Sequence, residues 1–208
     1  YASFLNAVGA GSNAIWTTGP YPTQTLTIAV SNYGLTYANG QWTPVIGKDN
    51  TPMINVNWYG AVSFAQYVGG RLPTESEWEY ATRGGTSTTF NTGGCLSNVQ
   101  DNYDWSNPQT GCTNSITNYL GTTQTVGTYP ANPYGLQNMH GNVREWCADW
   151  YGTYPSTATT NPTGNLSGTN RVLRGGGWGS FAKSCRSAYR NRNSPAYTNY
   201  DLGFRIVF

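Results

Sequence analysis

From Gly85 to Pro130 the chain runs without helical or alternating apolar periodicity, with the aromatic islands Tyr103, Trp105 and Tyr119. So long an irregular run sits poorly in a compact domain unless something organises it. Cys95 and Cys112 bracket 16 residues rich in Asn, Asp, Gly and Thr. A disulfide there would remove loop entropy worth about 3 kcal/mol; a bound cation is the other available device. Residues 151–170 form a second excursion of Thr, Asn, Pro and Gly, with Asn165-Leu-Ser a glycosylation acceptor in form. Whatever fold this chain adopts must carry long loops on little regular structure.

Composition keeps disorder out. Charged residues are only 10% of the 208, but aromatics supply 14% and are spread along the whole length. A chain of this size buries a sizeable core, and with no internal repeat or change of composition it reads as one domain over 1–208. The charge-poor, hydroxyl- and amide-rich surface suits an extracellular or surface-displayed protein. Residues 171–208 hold seven basic side chains against Asp201, a balance of +6, while everything before them sums to −4. That end suits an anionic ligand. Its arginines alternate with core and turn positions, which argues against nucleic acid. No stretch is apolar enough to span a bilayer. The opening YASFLNAVG, without Met, reads as the interior of a domain whose edge is incomplete.

Local signals are sparse but specific. Apolar spacing predicts a helix over Tyr1–Val8, stopped by Gly9 and Gly11. Leu26–Val30 and Leu35–Tyr37 read as strands joined by SNYG, with another at Trp42–Val45. Asn57 is placed to cap a helix with Ala61, Phe64, Ala65 and Val68 inward, ending at Gly69–Gly70. In RLPTESEWEYATRG, Thr74 and Glu77 form a capping box, Trp78 faces inward, Glu79 faces out, and Arg71 pairs with an acid. Arg171–Leu173, Arg186–Tyr189 and Gly203–Val207 read as closing strands.

No two cysteines form CxxC, and His140 in NMHGN is the only histidine, so a Cys/His zinc site lacks its spacing. The histidine reads as one that satisfies a loop hydrogen bond. Cys147–Cys185 is the pairing left once Cys95–Cys112 is made; two disulfides are expected, with four free thiols the alternative.

Three stretches then carry a resemblance: NTPMINVNWYGAVSFAQYVGGRLPTESEWEYATRGG at 50–85, NPYGLQNMHGNVREWCADWY at 132–151, and Arg171–Phe208 ending in LGFR. In that order they resemble the formylglycine-generating enzyme or sulfatase-modifying factor family. The resemblance implies an α+β fold, a C-type lectin-like variant with low regular secondary structure and long loops. It also implies, in the enzymes, a copper ion held by two cysteines that fall here at Ser180 and Cys185. A hydroxyl is a poor ligand for soft Cu(I), so copper and formylglycine formation are not expected. An iron-dependent, histidine-rich branch of the fold is not expected either, with one histidine available. The family binds structural calcium near GNVREW, which points to Asn142, Val143 and Glu145; alternatively Glu145 pairs with an arginine. Asp101 and Asp104 are further oxygen donors in the loop.

The remaining use of such a fold is display, as in variable proteins diversified by retroelements. On that reading Gly179, Ser180, Phe181, Ala182, Lys183, Asn191, Arg192, Asn193, Tyr197, Thr198 and Tyr200 form a binding face on a frame of Trp178, Cys185–Arg190 and Leu202–Arg205. The ligand, protein or glycan, is not identified by sequence. A self-assembling subunit of an extracellular filament or surface layer, and a copper oxidase, are the rival expectations.

Overall fold

The computed structural model describes residues 1–30, 33–113 and 119–208; Ser31, Asn32 and 114–118 lie outside the described residues. Helix α1, Ala2–Ala7, buries Phe4 and Leu5. Its Asn6 side chain clamps the first hairpin, donating to the Trp42 carbonyl at 2.9 Å and accepting from the Trp42 amide at 2.8 Å. That hairpin pairs β1, Leu35–Ala38, with β2, Gln41–Pro44. Asn39 and Gly40 both have positive φ, the requirement of a tight turn matched to strand twist. Leu26–Val30 forms no strand; it makes only a bridge from Thr27 to Val56, because Leu26 and Thr27 are spent packing against α2 and the Asn55–Asn57 segment.

Helix α2, Trp58–Tyr67, starts where the Asn57 side chain accepts from the Gly60 amide. Gly60 has no substitute, since a Cβ there would run into the Leu26 carbonyl oxygen. Ala61 and Ala65 face in and Phe64 packs at the core's margin, but Val68 is exposed at the helix end. Helix α3, Glu75–Arg83, has the expected capping box between Thr74 and Glu77 and ends at Gly84 in a left-handed conformation.

A four-stranded sheet in the order β5-β4-β3-β6 is the centre of the molecule. It comprises β3, Arg144–Trp150; β4, Arg171–Arg174; β5, Asn191–Asn193; and β6, Leu202–Gly203. β3–β4 and β4–β5 are antiparallel, while β3–β6 is parallel. Arg186–Tyr189 is a turn, not a strand: the Ser187 amide is taken by Thr89 and the Tyr189 amide by Arg186, so pairing begins only at Asn191. Beyond Gly203, the last segment touches Arg71 through a bridge at Val207.

Trp146, Leu173 and Leu202 of the sheet pack against Val56, Trp58, Ala61 and Leu72. Burying side chains of this size contributes about 1.5–3 kcal/mol each. The buried indoles also satisfy their N–H groups: Trp146 on the Val56 carbonyl, Trp58 on that of Cys147, Trp78 on Glu145. The irregular run has a core of its own, Phe90, Leu96, Tyr103 and Trp105 packed on Ala182 and Cys185. Cys95 and Cys112 are disulfide-bonded, as expected. Cys147 and Cys185 are not: both are free, buried thiols. Cys147 points from β3 among Trp78, Met139 and Val172, whereas Cys185 lies in the loop cluster, so two separate layers of core divide the pair.

Candidate functional site

The segment after β4 turns sharply through Gly175 and Gly176 and lays residues 177–185 over one end of the sheet. Ser180 closes this turn on itself. Its amide donates to the Gly177 carbonyl at 2.8 Å, and its Oγ accepts from the Gly177 amide at 3.0 Å. A short 3₁₀ turn, Ala182–Ser184, follows and delivers Cys185 into the interior. Burial pushes the Cys185 thiol well above its ordinary pKa, with the Asp101 carboxylate adding to the shift. Its Sγ is within 3.6 Å of the Phe181 carbonyl. A buried, protonated thiol with a hydroxyl at Ser180 does not provide the two thiolates that cuprous ion selects. The residues therefore do not fit that metal.

Beside Ser180 opens a cleft of about 240 Å³, lined by Arg144, Arg174, Ser180, Ser184, Tyr189, Asn191 and Asp201. Its charges are internally balanced. Arg144 meets Asp201 at 2.5 Å. Arg174, with no exposed side-chain surface, pairs with Glu75 and Glu79 and donates to the Ser187 and Tyr189 carbonyls. Glu79 thus turns inward, since Arg174 and Arg83 both claim it. Arg190 pairs with Glu75 and lies over the Tyr151 and Tyr154 rings. What the cleft offers a ligand is hydroxyl and amide groups rather than net charge.

Aromatic side chains lie close to the same turn. Trp178 stands between Tyr200, ring centres 5.3 Å apart, and Tyr119 at 6.1 Å, nearly parallel. Phe181, Tyr119 and Tyr200 are all exposed. Of the residues expected on the binding face, Gly179, Phe181, Lys183, Arg192 and Tyr200 are exposed, and Ser180, Asn191 and Asn193 are half-buried. Ala182 is buried and belongs to the loop core. Tyr197 packs against the main core, its hydroxyl accepting from Asn199, and Thr198 is half-buried. Tyr119, read only as an island in a loop, joins the surface; its spacing from Trp178 holds no signal that could have placed it there.

In the GNVREW segment, Glu145 and Asn142 are hydrogen-bonded to protein groups. Both Glu145 oxygens accept from Arg205, at 2.6 and 2.7 Å, and one also accepts from the Trp78 indole. Asn142, at positive φ, exchanges hydrogen bonds with the backbone of Gln124, and its carbonyl accepts from Trp178. Calcium needs six or more oxygen ligands; in this arrangement both Glu145 oxygens are hydrogen-bonded to Arg205. Asp101 is buried and accepts from the His140 and Asn102 amides and the Asn138 side chain. Burial raises its pKa to about 6. His140 is held by its ring: Nε2 accepts from the Asn91 amide and Nδ1 donates to the Cys185 carbonyl, while burial lowers its pKa to about 4. Asp104 is engaged with Ser106 and Asn107.

A profile of the sulfatase-modifying factor enzyme 1-like domain matches residues 1–208. The chain belongs to this family. Among its relatives, a serine/threonine-protein kinase pkn1 of Chlamydia caviae is 43% identical over 77% of the chain but only 24% of the relative. The formylglycine-generating enzyme of Mus musculus is 35% identical over 82% of the chain and 48% of the enzyme. The chain thus spans about a quarter of the first and half of the second. Treponema denticola variable protein 1 has a similar structure, with a TM-score of 0.65 and 27% identity over 79% of this chain and 74% of that one. PvdO from Pseudomonas aeruginosa shares the fold, at a TM-score of 0.59 and 24% identity over 80% of this chain and 63% of that one. This sulfatase-modifying-factor-like domain therefore has the expected α+β, C-type lectin-like fold, in a family that holds both enzymes and variable proteins.

Proposed function

We propose that this domain is a non-catalytic ligand-binding module, displayed outside the cell, that binds through the surface formed by Trp178–Lys183, Asn191–Asn193, Tyr200 and Tyr119. The observation that carries the reading is the Ser180 turn. Where a dithiol clamp needs its first sulfur there is a hydroxyl hydrogen-bonded to Gly177, and the second sulfur is buried. Around it lie exposed Phe181 and Tyr200 beside hydroxyl and amide groups, a mixture that gives contact area at low entropic cost. Similarity to the Treponema variable protein supports binding over turnover, and the Cys95–Cys112 disulfide supports an oxidising compartment.

The test has two arms. Titration of Cu(I) against a competing chelator, with oxygen consumption followed on a cysteine-containing peptide, should give no stoichiometric metal and no turnover. Selection of a displayed peptide library on the native domain should enrich binders that the Phe181→Ala/Tyr200→Ala variant no longer retains at unchanged melting temperature. One cuprous ion per chain with peptide oxidation would end the reading, as would binders indifferent to the double substitution.

A further inference from the structure

Among the described residues, six of the nine arginines (Arg71, Arg83, Arg144, Arg174, Arg190 and Arg205) meet a carboxylate, and of the other three Arg186 and Arg192 are exposed to solvent. Arg171, half-buried at the start of β4, has no carboxylate within 4.0 Å. Its guanidinium is instead sandwiched between indoles, 3.7 Å from the Trp58 ring centre and 3.4 Å from that of Trp150. Nη1 donates to the Ala148 carbonyl at 2.6 Å, and Nε is buried without an acceptor. Burial draws its pKa below the usual arginine range, against the pull of Tyr21, Tyr59 and Asp149 at longer range.

Stacking attracts a cation but fills none of its N–H donors, and a buried donor left unsatisfied costs about 1–3 kcal/mol. Arg171 lines a groove of about 960 Å³ together with Tyr21, Trp58, Leu72, Ser76, Tyr80 and Pro162. The groove's other charges, Arg71 and Glu77, cancel in a two-pronged pair. A guanidinium with no carboxylate within 4.0 Å therefore faces a largely apolar trough. A single negative charge would balance it, whereas a phosphate dianion would bring surplus charge into apolar surroundings. The volume is that of a site for a drug-sized molecule rather than an inorganic ion.

We propose that this groove is a second ligand site, separate from the Ser180 cleft, for an organic carboxylate with an apolar body. The carboxylate takes the Nη2 end of the Arg171 guanidinium, Nε being buried and Nη1 engaged with Ala148, and the body lies along Tyr21, Leu72, Tyr80 and Pro162. The site shares no lining residue with the cleft, so it stands or falls apart from the function proposed above.

N-acetyl-L-phenylalanine and its uncharged amide, titrated into the native domain while the indole N–H signals of Trp58 and Trp150 are followed by NMR, form the test. The acid should shift both signals saturably, with the amide at least about tenfold weaker, the loss expected for a charge-assisted hydrogen bond. Arg171→Met, which keeps a stem between the indoles, should abolish acid binding, and Tyr200→Ala should leave it intact. Equal binding of acid and amide, no shift by either, or acid binding retained by folded Arg171→Met overturns the proposal. If Arg171→Met does not fold, the comparison of acid with amide on native protein decides alone.

Discussion

Arg205→Met should be among the most damaging single changes in this domain, although the side chain touches no ligand surface. Glu145 is 4% exposed and sits at the start of the central strand. Its carboxylate is held by Arg205 at 2.6 and 2.7 Å and by the Trp78 indole at 2.7 Å. Arg205 also donates to the Gln137 carbonyl at 3.2 Å, tying the segment before β3 to the C-terminus. Methionine fills the volume but leaves a buried charge with a single donor, which costs about 3–5 kcal/mol. For a domain of this size that lowers the melting temperature by roughly 6–20 °C. Adding Glu145→Gln removes the stranded charge and keeps an oxygen for Trp78, so the double variant should be more stable than Arg205→Met alone by about 2 kcal/mol. Urea unfolding of native, single and double variants, followed by tryptophan fluorescence, measures the cycle. A single-variant loss below about 1 kcal/mol would show that the pair is not buried in solution. A double variant less stable than Arg205→Met would refute the stranded-charge argument outright.

Replacing Cys95 and Cys112 by serine frees the loop closed across a separation of 17 residues and should cost about 3 kcal/mol, read as a shift in urea midpoint. Asp101 binds its proton more tightly folded than unfolded, so between pH 3.8 and about 6 it makes stability fall as pH rises; His140, depressed to about 4, acts in the opposite sense up to pH 6.5. The two offset each other, and Asp101→Asn should uncover the histidine: stability relative to native should climb by about 2 kcal/mol from pH 4 to pH 6, and parallel pH curves would refute the assignment. Millimolar calcium should leave the native melting temperature unmoved, because Arg205 occupies both Glu145 oxygens; a rise of several degrees would show that the ion displaces it. Phe181→Ala and Tyr200→Ala should each change stability by less than about 0.5 kcal/mol by thermal melt, and a larger loss would place those rings in the core.

What was legible in the sequence was what short segments decide for themselves. Asn57 and the Thr74/Glu77 box mark helix starts because a cap is a contact between residues three apart. The Cys95–Cys112 bond closes a long loop in which no helical or strand pattern is legible, and that length argues for it. Cys147–Cys185 had only parity behind it, and parity carries no geometry: Trp78 and Met139 surround one thiol, Tyr103 and Trp105 the other. Glu79 read as solvent-facing from its helix position, but its partner Arg174 lies in β4, beyond the reach of any local pattern. On the binding surface, Phe181 and Tyr200 are indistinguishable from Tyr197 by residue type, yet Tyr197 rests on the core. Only the course of the chain after Gly176 separates them.

That course also explains how a hydroxyl at residue 180 is accommodated without harm to the fold. The load under the Ser180 turn is taken by Arg144–Asp201 and by Arg174 on Glu75 and Glu79, all contacts whose partners lie outside residues 179–183. Ser180 itself needs only a small side chain that accepts from Gly177, and its hydroxyl does so at 3.0 Å. Surface side chains at Gly179, Phe181, Lys183, Arg192 and Tyr200 can then change with little energetic consequence, while the ion pairs beneath them cannot. A fold with that division of labour is suited to presenting different surfaces on one frame. The same division separates the two candidate ligand sites, for Arg171 and its paired tryptophans belong to the α2 and loop side of β4 and share no contact with the Ser180 turn.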